Sequence, residues 1–346
     1  MTPVPARPLD HQPTSGGHNR VCRLHAAESQ FTWSQRIEYL QQFGIHSQHF
    51  TALQPGMKYF DVPGIGYLSY AEKWGQPMVL GDPVAAAEDR ATLLHRFAEV
   101  HPKASFVQVT AATANTLHRE FGYYGTQFGQ EQKVPLEGWT TSGKSRKCIR
   151  KAVNRAREHG IEVRESSEPL DVDSVCASWL ETRRVRGREI RFMVRPRKMK
   201  HTDGTRYLYA WKDGQPIGFA YFDPGYLGGK IKSYMPNISR ACASFRQGIF
   251  YTIMVHAIEL FRSEGVEWID LGLNPMVLND TARPYENKLV RTVFNLVYRF
   301  GRHYNFQGLH FTKTRFGGDW EPTFYCHRKT VPLADMGRMA GLVGLF

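Results

Sequence analysis

Residues 308–327, GLHFTKTRFGGDWEPTFYCH, hold the residue types most suited to chemistry in this 346-residue chain. Two aromatic-rich runs flank the turn Gly317-Gly318-Asp319, and this pattern predicts a β-hairpin. Lys313 and Arg315 stand two residues apart, so on a strand both side chains would project from one face. Two cations on one face can bind a carboxylate, a phosphate or the polarised oxygen of an acyl group. We therefore take Lys313 and Arg315 as candidate catalytic residues.

Positive charge is concentrated in two other segments. Residues 142–158, SGKSRKCIRKAVNRARE, predict an amphipathic helix whose apolar face includes Ile149 and Ala156. Residues 183–200 hold nine cations and one acid, Glu189, and predict a helix end followed by a structured loop. A solvated linker helix and an ordinary basic loop stay open as alternatives to a contact with a phosphate backbone. The candidate nucleic-acid contacts are Lys147, Arg150, Lys151, Arg155, Arg157, Arg188, Arg191 and Arg195.

The overall composition also favours an anionic partner. The chain has 45 Lys and Arg against 32 Asp and Glu, a formal net charge of +13. Such an excess is typical of proteins that bind nucleic acid or an anionic membrane, and a basic enzyme with a small anionic ligand is the alternative. The 5 cysteines form no CxxC pair and are odd in number, so neither a metal site nor a disulfide framework is expected. We expect a cytoplasmic protein with reduced thiols.

The two ends of the chain differ in character. Residues 1–20 are rich in Pro, Gly and polar residues, which predicts a disordered segment without a signal peptide. No run approaches the ~20 apolar residues of a membrane-spanning helix, so any membrane contact would be peripheral. Residues 331–346 form a short apolar tail that could pack on the core or touch lipid.

The order of predicted elements repeats. The second half reads as a helix, an antiparallel meander, a helix at 248–262, a strand at 266–273, a helix at 287–300 and the hairpin. The first half follows a similar order. This is the element order of the acetyltransferase-like (GNAT) fold, and we predict an α/β protein of tandem units, each a mixed, largely antiparallel sheet flanked by helices. The predicted domains are a first unit at 21–141, a basic connecting helix at 142–165 and a second unit at 166–330 that carries the active site.

Six segments together resemble a known family. They are residues 66–71 followed by VLGDP at 79–83, the basic segment at 143–157, IGFAYF at 217–222, DLGLNP at 270–275 and FTKTRFGGDWEPTFY at 311–325. In this order they resemble the catalytic domain of the lysyl-phosphatidylglycerol synthases over roughly residues 35–328. The resemblance implies transfer of an aminoacyl group from aminoacyl-tRNA to an acceptor. The implied acceptor is first the hydroxyl of phosphatidylglycerol or another lipid, and second the hydroxyl or amine of a small molecule.

One departure from the family bears on the transferred amino acid. Members usually carry an Asp-Leu-Met-Arg-like run on a central strand of the second unit, where this chain reads Ile231-Lys232-Ser233-Tyr234. The family uses that region to hold the donor amino acid and the reacting ester. A smaller or neutral amino acid is therefore as good an expectation as lysine.

The proposed ester donor suggests roles for the remaining candidate residues. No Ser-His-Asp or Cys-His arrangement is evident in the sequence, so direct transfer is preferred to a covalent enzyme intermediate, and no cofactor is expected. Asp270 could anchor the α-ammonium group of the donor, and a carboxylate satisfied by nearby backbone is the alternative. Candidate substrate-binding residues are Ser233, Tyr234, Asn274, Trp320 and Tyr325, of which the last two could equally belong to the core.

Two other functions stay open. An acyl-CoA-dependent N-acyltransferase needs a glycine-rich turn for the pyrophosphate at a helix start. Residues 244–250, SFRQGIF, offer one glycine at that position, which is a degenerate form of the pattern. A non-catalytic protein that binds RNA or a membrane is the third reading, favoured by the missing Asp and Arg.

Overall fold

The computed structural model describes residues 30–182, 190–245, 248–300 and 305–344. The segment 1–20 that we predicted to be disordered lies outside the described residues. The strands are β1 (Lys58–Val62), β2 (Gly66–Lys73), β3 (Gln76–Leu80), β4 (Val84–Ala85), β5 (Ser105–Val109), β6 (Tyr124–Pro135), β7 (Glu162–Ser166), β8 (Arg206–Lys212), β9 (Gln215–Leu227), β10 (Lys230–Ala241), β11 (Trp268–Pro275) and β12 (Asp319–His327). The helices are α1 (Trp33–Phe43), α2 (Ser47–Thr51), α3 (Arg90–Val100), α4 (Ala111–Phe121), α5 (Lys147–Glu158), α6 (Asp173–Glu181), α7 (Ile249–Ser263), α8 (Lys288–Phe300), α9 (Phe306–Thr314) and α10 (Leu333–Val343).

One mixed sheet runs through the molecule in the order β1-β2-β3-β5-β12-β6-β11-β10-β9-β8-β7, with β4 beside β2. The two halves of the chain share one connectivity. In each half an antiparallel meander is followed by a helical crossover and then by a strand parallel to the last strand of the meander. Those parallel pairs are β3 with β5 and β10 with β11. This repeat confirms the predicted α/β class and its largely antiparallel sheets with flanking helices.

The last strand of each half pairs with the other half. β6 closes the first half in sequence, but it pairs with β11 of the second half. β12 closes the second half, but it lies between β5 and β6 of the first half. The centre of the sheet is therefore β5-β12-β6-β11, built from both halves. The predicted bounds of the two units stay a prediction. They assign β12 to the second unit by its place in the sequence, although β12 pairs with strands of the first half.

The predicted hairpin at 309–328 is wrong in its first strand. Residues 306–314 form α9, whose start is capped by the Asn305 side chain accepting a hydrogen bond from Gly308 N at 3.0 Å. The helix ends at Thr314, and Gly317 and Gly318, both with positive φ, lie in the turn that follows, so this glycine pair joins a helix to β12 and not two strands. Residues two apart on a helix point about 200° apart, so Lys313 and Arg315 do not share a face.

Helices cover the sheet, and two of them, α5 and α10, show how the basic segment and the apolar tail pack. The apolar face predicted for the basic helix is confirmed, because Ile149 and Ala156 of α5 are buried in the cluster that contains α7. The apolar tail forms α10, whose Met339 and Val343 are buried in the core beside β2, β3 and β5. Within the described residues the tail therefore packs on the protein.

Candidate active site

Lys313 is a buried cation at the centre of the molecule. It lies on the inward side of α9 with 8% of its surface exposed, and its Nζ donates a hydrogen bond to the Leu273 carbonyl of β11 at 2.8 Å. Burial lowers the pKa of the Lys313 ammonium to about 8, although the nearby charges of Asp270 and Glu131 oppose this change. The ammonium group has three donors, so the bond to Leu273 leaves two for other acceptors.

Asp270 is the buried acid that acts on Lys313. It lies on β11 with 3% of its surface exposed, and its carboxylate accepts a hydrogen bond from Gly272 N at 2.7 Å. Gly272 has a φ of 69° within a bulge of β11, which turns its N–H back towards Asp270. Burial and the negative charge of Glu131 raise the pKa of Asp270 to about 7, while Lys133 and Lys313 lower it.

Glu131 brings the first half of the chain into this cluster. It lies on β6, opposite Leu273 of β11 and Glu321 of β12. Its carboxylate accepts hydrogen bonds from Ser47 Oγ and from Gln108 Nε2, each at 2.6 Å. Gln108 reaches it from β5 with a φ of 57°, a conformation that a non-glycine residue rarely adopts. The strained backbone at this position suggests that the Gln108 side chain is held for a function.

Buried polar atoms without partners gather on the same four strands. Gln108 of β5, Gln132 of β6, Asn274 of β11 and Thr323 of β12 are each buried. Each has one side-chain oxygen without a hydrogen-bond partner among the described residues: Gln108 Oε1, Gln132 Oε1, Asn274 Oδ1 and Thr323 Oγ1. Native interiors satisfy most buried polar atoms, so such a group needs an explanation. A polar substrate could partner only the atoms on its own face of the sheet, and Gln132, the strand neighbour of Glu131, points to the opposite face from Glu131.

This arrangement suits the chemistry of acyl transfer. A buried ammonium in a region of low dielectric is a strong donor to an oxyanion, and a carboxylate beside it can hold a cationic group of the substrate. The two groups have pKa values of about 8 and about 7, so both titrate close to neutral pH. Perturbed pairs of this kind are typical of active sites.

Arg315 does not join Lys313. It follows the end of α9, its Cζ lies 3.9 Å from the centre of the Phe311 ring, and its Nε has no partner among the described residues. The expectation that both cations face one group depended on the hairpin and is wrong for this reason. Arg315 stays a candidate for a separate contact.

The predicted substrate-binding residues fall into two groups. Asn274 and Ser233 are buried polar residues on β11 and β10, and Asn274 borders the cluster because its neighbour Leu273 holds Lys313. Tyr234 stacks on Phe261 of α7 with ring centres 4.4 Å apart, and Tyr325 is fully buried against Phe294. These two tyrosines are core residues in the structure.

Trp320 is the remaining candidate on β12. It is half-buried, and its ring lies 5.4 Å from that of His310 on α9. Trp320 lies opposite Gln132 of β6, whereas its strand neighbour Glu321 lies opposite Glu131, so the Trp320 side chain projects from the other face of the sheet than Glu131.

The basic helix keeps most of its charge free. Lys147, Lys151, Arg155 and Arg157 of α5 are exposed, and none of them forms an ion pair with another described residue. Arg150 differs, because its Nη1 donates to the Gly143 carbonyl at 2.7 Å and to that of Thr141, so it holds the preceding loop. The four exposed cations are the part of the prediction that suits a phosphate contact.

A cavity of about 320 Å³ lies between α5 and the start of α7. Arg155, His159 and Lys212 contribute to its lining, together with Gly248 at the first turn of α7. The backbone N–H groups at this helix start have no side-chain cap among the described residues. Helix starts of this kind attract phosphate groups.

The second basic segment gives a correction. Arg195 was predicted to bind nucleic acid, but its side chain is 0% exposed and its guanidinium pairs with Asp223 through bonds of 2.7 and 2.6 Å. A buried guanidinium committed to a carboxylate has no free donor face for a phosphate. Arg191 is exposed, and Arg188 lies outside the described residues.

The sequence reasoning missed Glu131, Gln108, Ser47 and Lys133. All four lie in the first half, whereas we expected the active site in the second unit. The run FGQEQKVP at 128–135 does carry a signal, since a predicted strand that holds polar residues at successive positions is unusual for a buried strand. Only the exchange of last strands brings that run next to Asp270.

The matches to known proteins fit this geometry. Residues 37–327 match the family described as phosphatidylglycerol lysyltransferase, C-terminal. The chain belongs to this family. It is 23% identical over 288 residues to the phosphatidylglycerol lysyltransferase of Bacillus subtilis, and 23% identical over 277 residues to that of Staphylococcus haemolyticus. These alignments cover 80% and 76% of this chain, and 32% of each relative, so the chain spans about a third of their length.

Solved structures show the same fold. L-PGS from Bacillus licheniformis aligns with a TM-score of 0.75 at 20% identity, covering 91% of this chain and 97% of that chain. The C-terminal domain of a putative lysylphosphatidylglycerol synthetase from Agrobacterium fabrum gives 0.72 at 20% identity, covering 90% and 98%. FemX aligns with a TM-score of 0.51 at 11% identity, covering 88% and 98%. Family membership thus rests on the sequence match, and the shared fold agrees with the predicted acetyltransferase-like class.

The described residues contain neither a membrane-spanning helix nor a cluster of metal-ligating side chains. No helix there combines the length and apolar character that crossing a bilayer requires. No group of three or more His, Cys, Asp or Glu residues there could hold a metal ion.

The role of Arg195 can be tested by stability. Arg195→Met leaves Asp223 as a buried charge without its partner, so we expect the free energy of unfolding to fall by about 3–5 kcal/mol. The matched control is Arg197→Met, which removes an ion pair to the exposed Asp173 and should cost less than about 1 kcal/mol. Urea denaturation measures both. If the two variants are equally stable and only Arg195→Met binds tRNA more weakly, the original prediction that Arg195 contacts nucleic acid would be supported.

Proposed function

We propose that this protein transfers an aminoacyl group from aminoacyl-tRNA to the hydroxyl group of a lipid, with phosphatidylglycerol as first choice and a small-molecule acceptor as second. The observation that carries the proposal is the buried cluster of Lys313, Asp270 and Glu131 in a chain of this family. Relatives named phosphatidylglycerol lysyltransferase support the lipid acceptor, and the exposed cations of α5 support the RNA donor.

The proposed reaction is direct transfer. The acceptor hydroxyl oxygen attacks the ester carbonyl carbon, the new C–O bond forms, and the bond to the ribose oxygen of the tRNA breaks. The proton lost by the acceptor ends on that ribose oxygen. The Lys313 ammonium donates to the oxyanion of the tetrahedral intermediate with a donor that the Leu273 carbonyl does not use. Asp270, as a carboxylate, holds the α-ammonium of the aminoacyl group.

The donor would approach along α5. Lys147, Lys151 and Arg155 stand at every fourth position, so they form one row on the exposed side of the helix. Arg155 also reaches the cavity at the start of α7, which could take a phosphate of the donor. A row of cations that leads to a phosphate-sized recess suits the acceptor end of a tRNA.

The transferred amino acid is a separate question. On β10 the structure has Ile231 and Tyr234 where the family's acid and arginine are expected, and Tyr234 is committed to the core. The carboxylates available for a cationic group are therefore Asp270 and Glu131. We propose that Asp270 binds the α-ammonium group that every amino acid has, so the site does not depend on a lysine side chain.

An acyl-CoA donor is the second candidate. The cavity beside Gly248 favours it, because a pyrophosphate could occupy the same recess. Ile249 is buried in the core directly after Gly248, so a single glycine lines the turn there. A binding role without catalysis is the third candidate.

Transfer from a pool of radiolabelled aminoacyl-tRNAs tests all three. The purified protein is mixed with phosphatidylglycerol vesicles and a cell extract, and label is followed into organic and aqueous phases. Label in the lipid supports the proposal and names the amino acid, whereas label in a small aqueous product selects the second acceptor. If no aminoacyl group is transferred but the protein transfers an acyl group from acyl-CoA, the donor is acyl-CoA and not tRNA. If neither donor is used, a binding role remains.

Lys313→Met tests the oxyanion donor while keeping the volume of the buried side chain. We expect the turnover number to fall roughly 10²-fold or more, with a smaller change in the affinity for aminoacyl-tRNA. Lys58→Met, which removes an exposed lysine of β1 that pairs with Glu72 of β2 far from the cluster in sequence, is the control and should retain activity. A variant that loses only donor affinity would make Lys313 a binding residue.

The pH dependence follows from the two pKa values. The raised pKa of Asp270 means that its carboxylate forms only as the pH rises through about 7. The lowered pKa of Lys313 means that its ammonium is lost as the pH rises through about 8. The competent pair therefore exists mainly between these values, and transfer should follow a narrow bell-shaped profile. Initial rates corrected for ester hydrolysis measure it, and Asp270→Asn should abolish the acid limb. A flat profile between about pH 6 and about pH 9 would contradict this assignment.

The RNA contact can be measured by salt dependence. Replacing Lys147, Lys151 and Arg155 by Gln should weaken tRNA binding and reduce the slope of log K against log salt by about 2–3. Arg96, Lys103 and Arg119 are exposed cations of the first half, and their triple Gln variant is a control with the same change in charge. Equal slopes in the two triple variants would argue against a specific role for α5.

A further inference from the structure

Helix α8 exposes an apolar stripe to solvent. Leu289, Leu296 and Phe300 are 44%, 50% and 73% exposed, respectively. They stand at positions i, i+7 and i+11, so they project from one side of the helix. A different side, with Val290 and Phe294, is buried in the core. The helix therefore has apolar residues on two sides, and the core covers only one of these sides.

Cations border this stripe. Lys288 and Arg299 are exposed and also stand at i and i+11, so they share a side next to the apolar stripe. α8 contains no acidic residue, and its third cation, Arg291, pairs with the buried Glu286 at 2.6 Å. An exposed apolar stripe beside a row of cations is typical of helices that lie in the surface of an anionic membrane.

The helix is also close in structure to the candidate active site. Its buried Phe294 packs in the cluster that Leu273 joins, and the Leu273 carbonyl holds Lys313. At its start, Asn287 Nδ2 donates to the Thr330 carbonyl at 2.7 Å. That bond brings to the helix start a segment with two further exposed apolar residues, Val331 and Leu333.

We propose that the exposed stripe of α8, formed by Leu289, Leu296 and Phe300 with Lys288 and Arg299, is the surface through which this protein docks on an anionic lipid bilayer. The proposal rests on the lipid acceptor proposed above and names the surface that would bring the enzyme to it. The apolar side chains would enter the boundary between head groups and acyl chains, and the two cations would contact anionic head groups.

Charge decides between a bilayer and other occupants. A face whose charged residues are all cationic repels a second copy of itself, because an isologous contact would set like charges together. An anionic bilayer instead complements Lys288 and Arg299. It also accepts apolar side chains that would otherwise remain in water.

Vesicle flotation tests the proposal without reference to catalysis. The wild-type protein is mixed with vesicles of phosphatidylcholine with phosphatidylglycerol, or of phosphatidylcholine alone, at physiological salt. The double variant Leu296→Ser, Phe300→Ser leaves the net charge unchanged, so any loss of binding reports on the apolar stripe. We expect it to reduce partitioning into the anionic vesicles by roughly tenfold or more. Lys288→Gln and Arg299→Gln should each reduce it by roughly fivefold, and only for anionic vesicles.

A matched control uses exposed apolar residues elsewhere. Trp74, in the turn after β2, is 64% exposed, and Leu227, the last residue of β9, is 47% exposed. The variant Trp74→Ser, Leu227→Ser should bind vesicles as the wild type does. Hydrogen exchange of α8 should also slow when vesicles are added.

The outcomes separate the surface from the function. Equal vesicle binding by the two double variants would overturn the proposal, even if transfer to lipid occurs. Light scattering could instead show that the α8 variant loses self-association while its vesicle binding is unchanged. That result would assign the stripe to a contact between copies of the protein and would also overturn the proposal. Vesicle binding that depends on the stripe, with no aminoacyl transfer to any acceptor, would uphold the surface and refute the proposed reaction.

Discussion

The pairing of β6 with β12 on one side and β11 on the other is the constraint on which the rest of the structure depends. Each half contributes its last strand to the other half, so neither half completes its sheet alone. The cluster of Lys313, Asp270 and Glu131 exists only because of this exchange. Glu131 comes from the first half, and Asp270 and Lys313 come from the second.

The burial of charge at this junction costs stability and gives reactivity. Desolvation alone would expel the proton from Lys313 and force one onto Asp270, and their mutual attraction only partly offsets it. The result is a pair of groups that both titrate near neutral pH. Arg195 and Asp223 show the contrasting case, in which two bonds between a buried guanidinium and a buried carboxylate serve the fold.

Exposed charge follows a different pattern. The cations of α5 and the two that border the α8 stripe have no acidic partner among the described residues, whereas many other surface cations of the described residues do, as in the pairs of Arg206 with Glu165 and Glu264. Unpaired cations on amphipathic helices are what an anionic polymer and an anionic membrane would each select. The proposed function needs two such surfaces, since its donor is an RNA and its acceptor lies in a lipid layer.

Local patterns in the sequence were sufficient for most elements. The periodicity of apolar residues predicted helices at 248–262 and 287–300, which the structure has as α7 at Ile249–Ser263 and α8 at Lys288–Phe300. The same periodicity, with the cations around it, predicted the apolar face of α5. These features depend on residues a few positions apart, which is why the sequence alone determines them. Recognition of the family likewise depended on short motifs in order along the chain.

Tertiary structure decided what depends on distant residues. The glycines at 317 and 318 fit a hairpin or a helix end equally well, and only the capped helix at 306–314 packed on β11 shows which occurs. In the sequence Arg195 resembles the other cations of residues 183–200, and only the structure places Asp223 beside it. The exposed and the buried sides of α8 are both apolar in sequence, so only the structure shows that Leu289 and Phe300 face solvent. The sequence by itself determined most of the helices and strands, the basic face of α5 and the choice of Lys313 and Asp270 as candidates. Their meeting with Glu131 was decided by strand exchange, because pairing between strands far apart in the chain leaves no local signal.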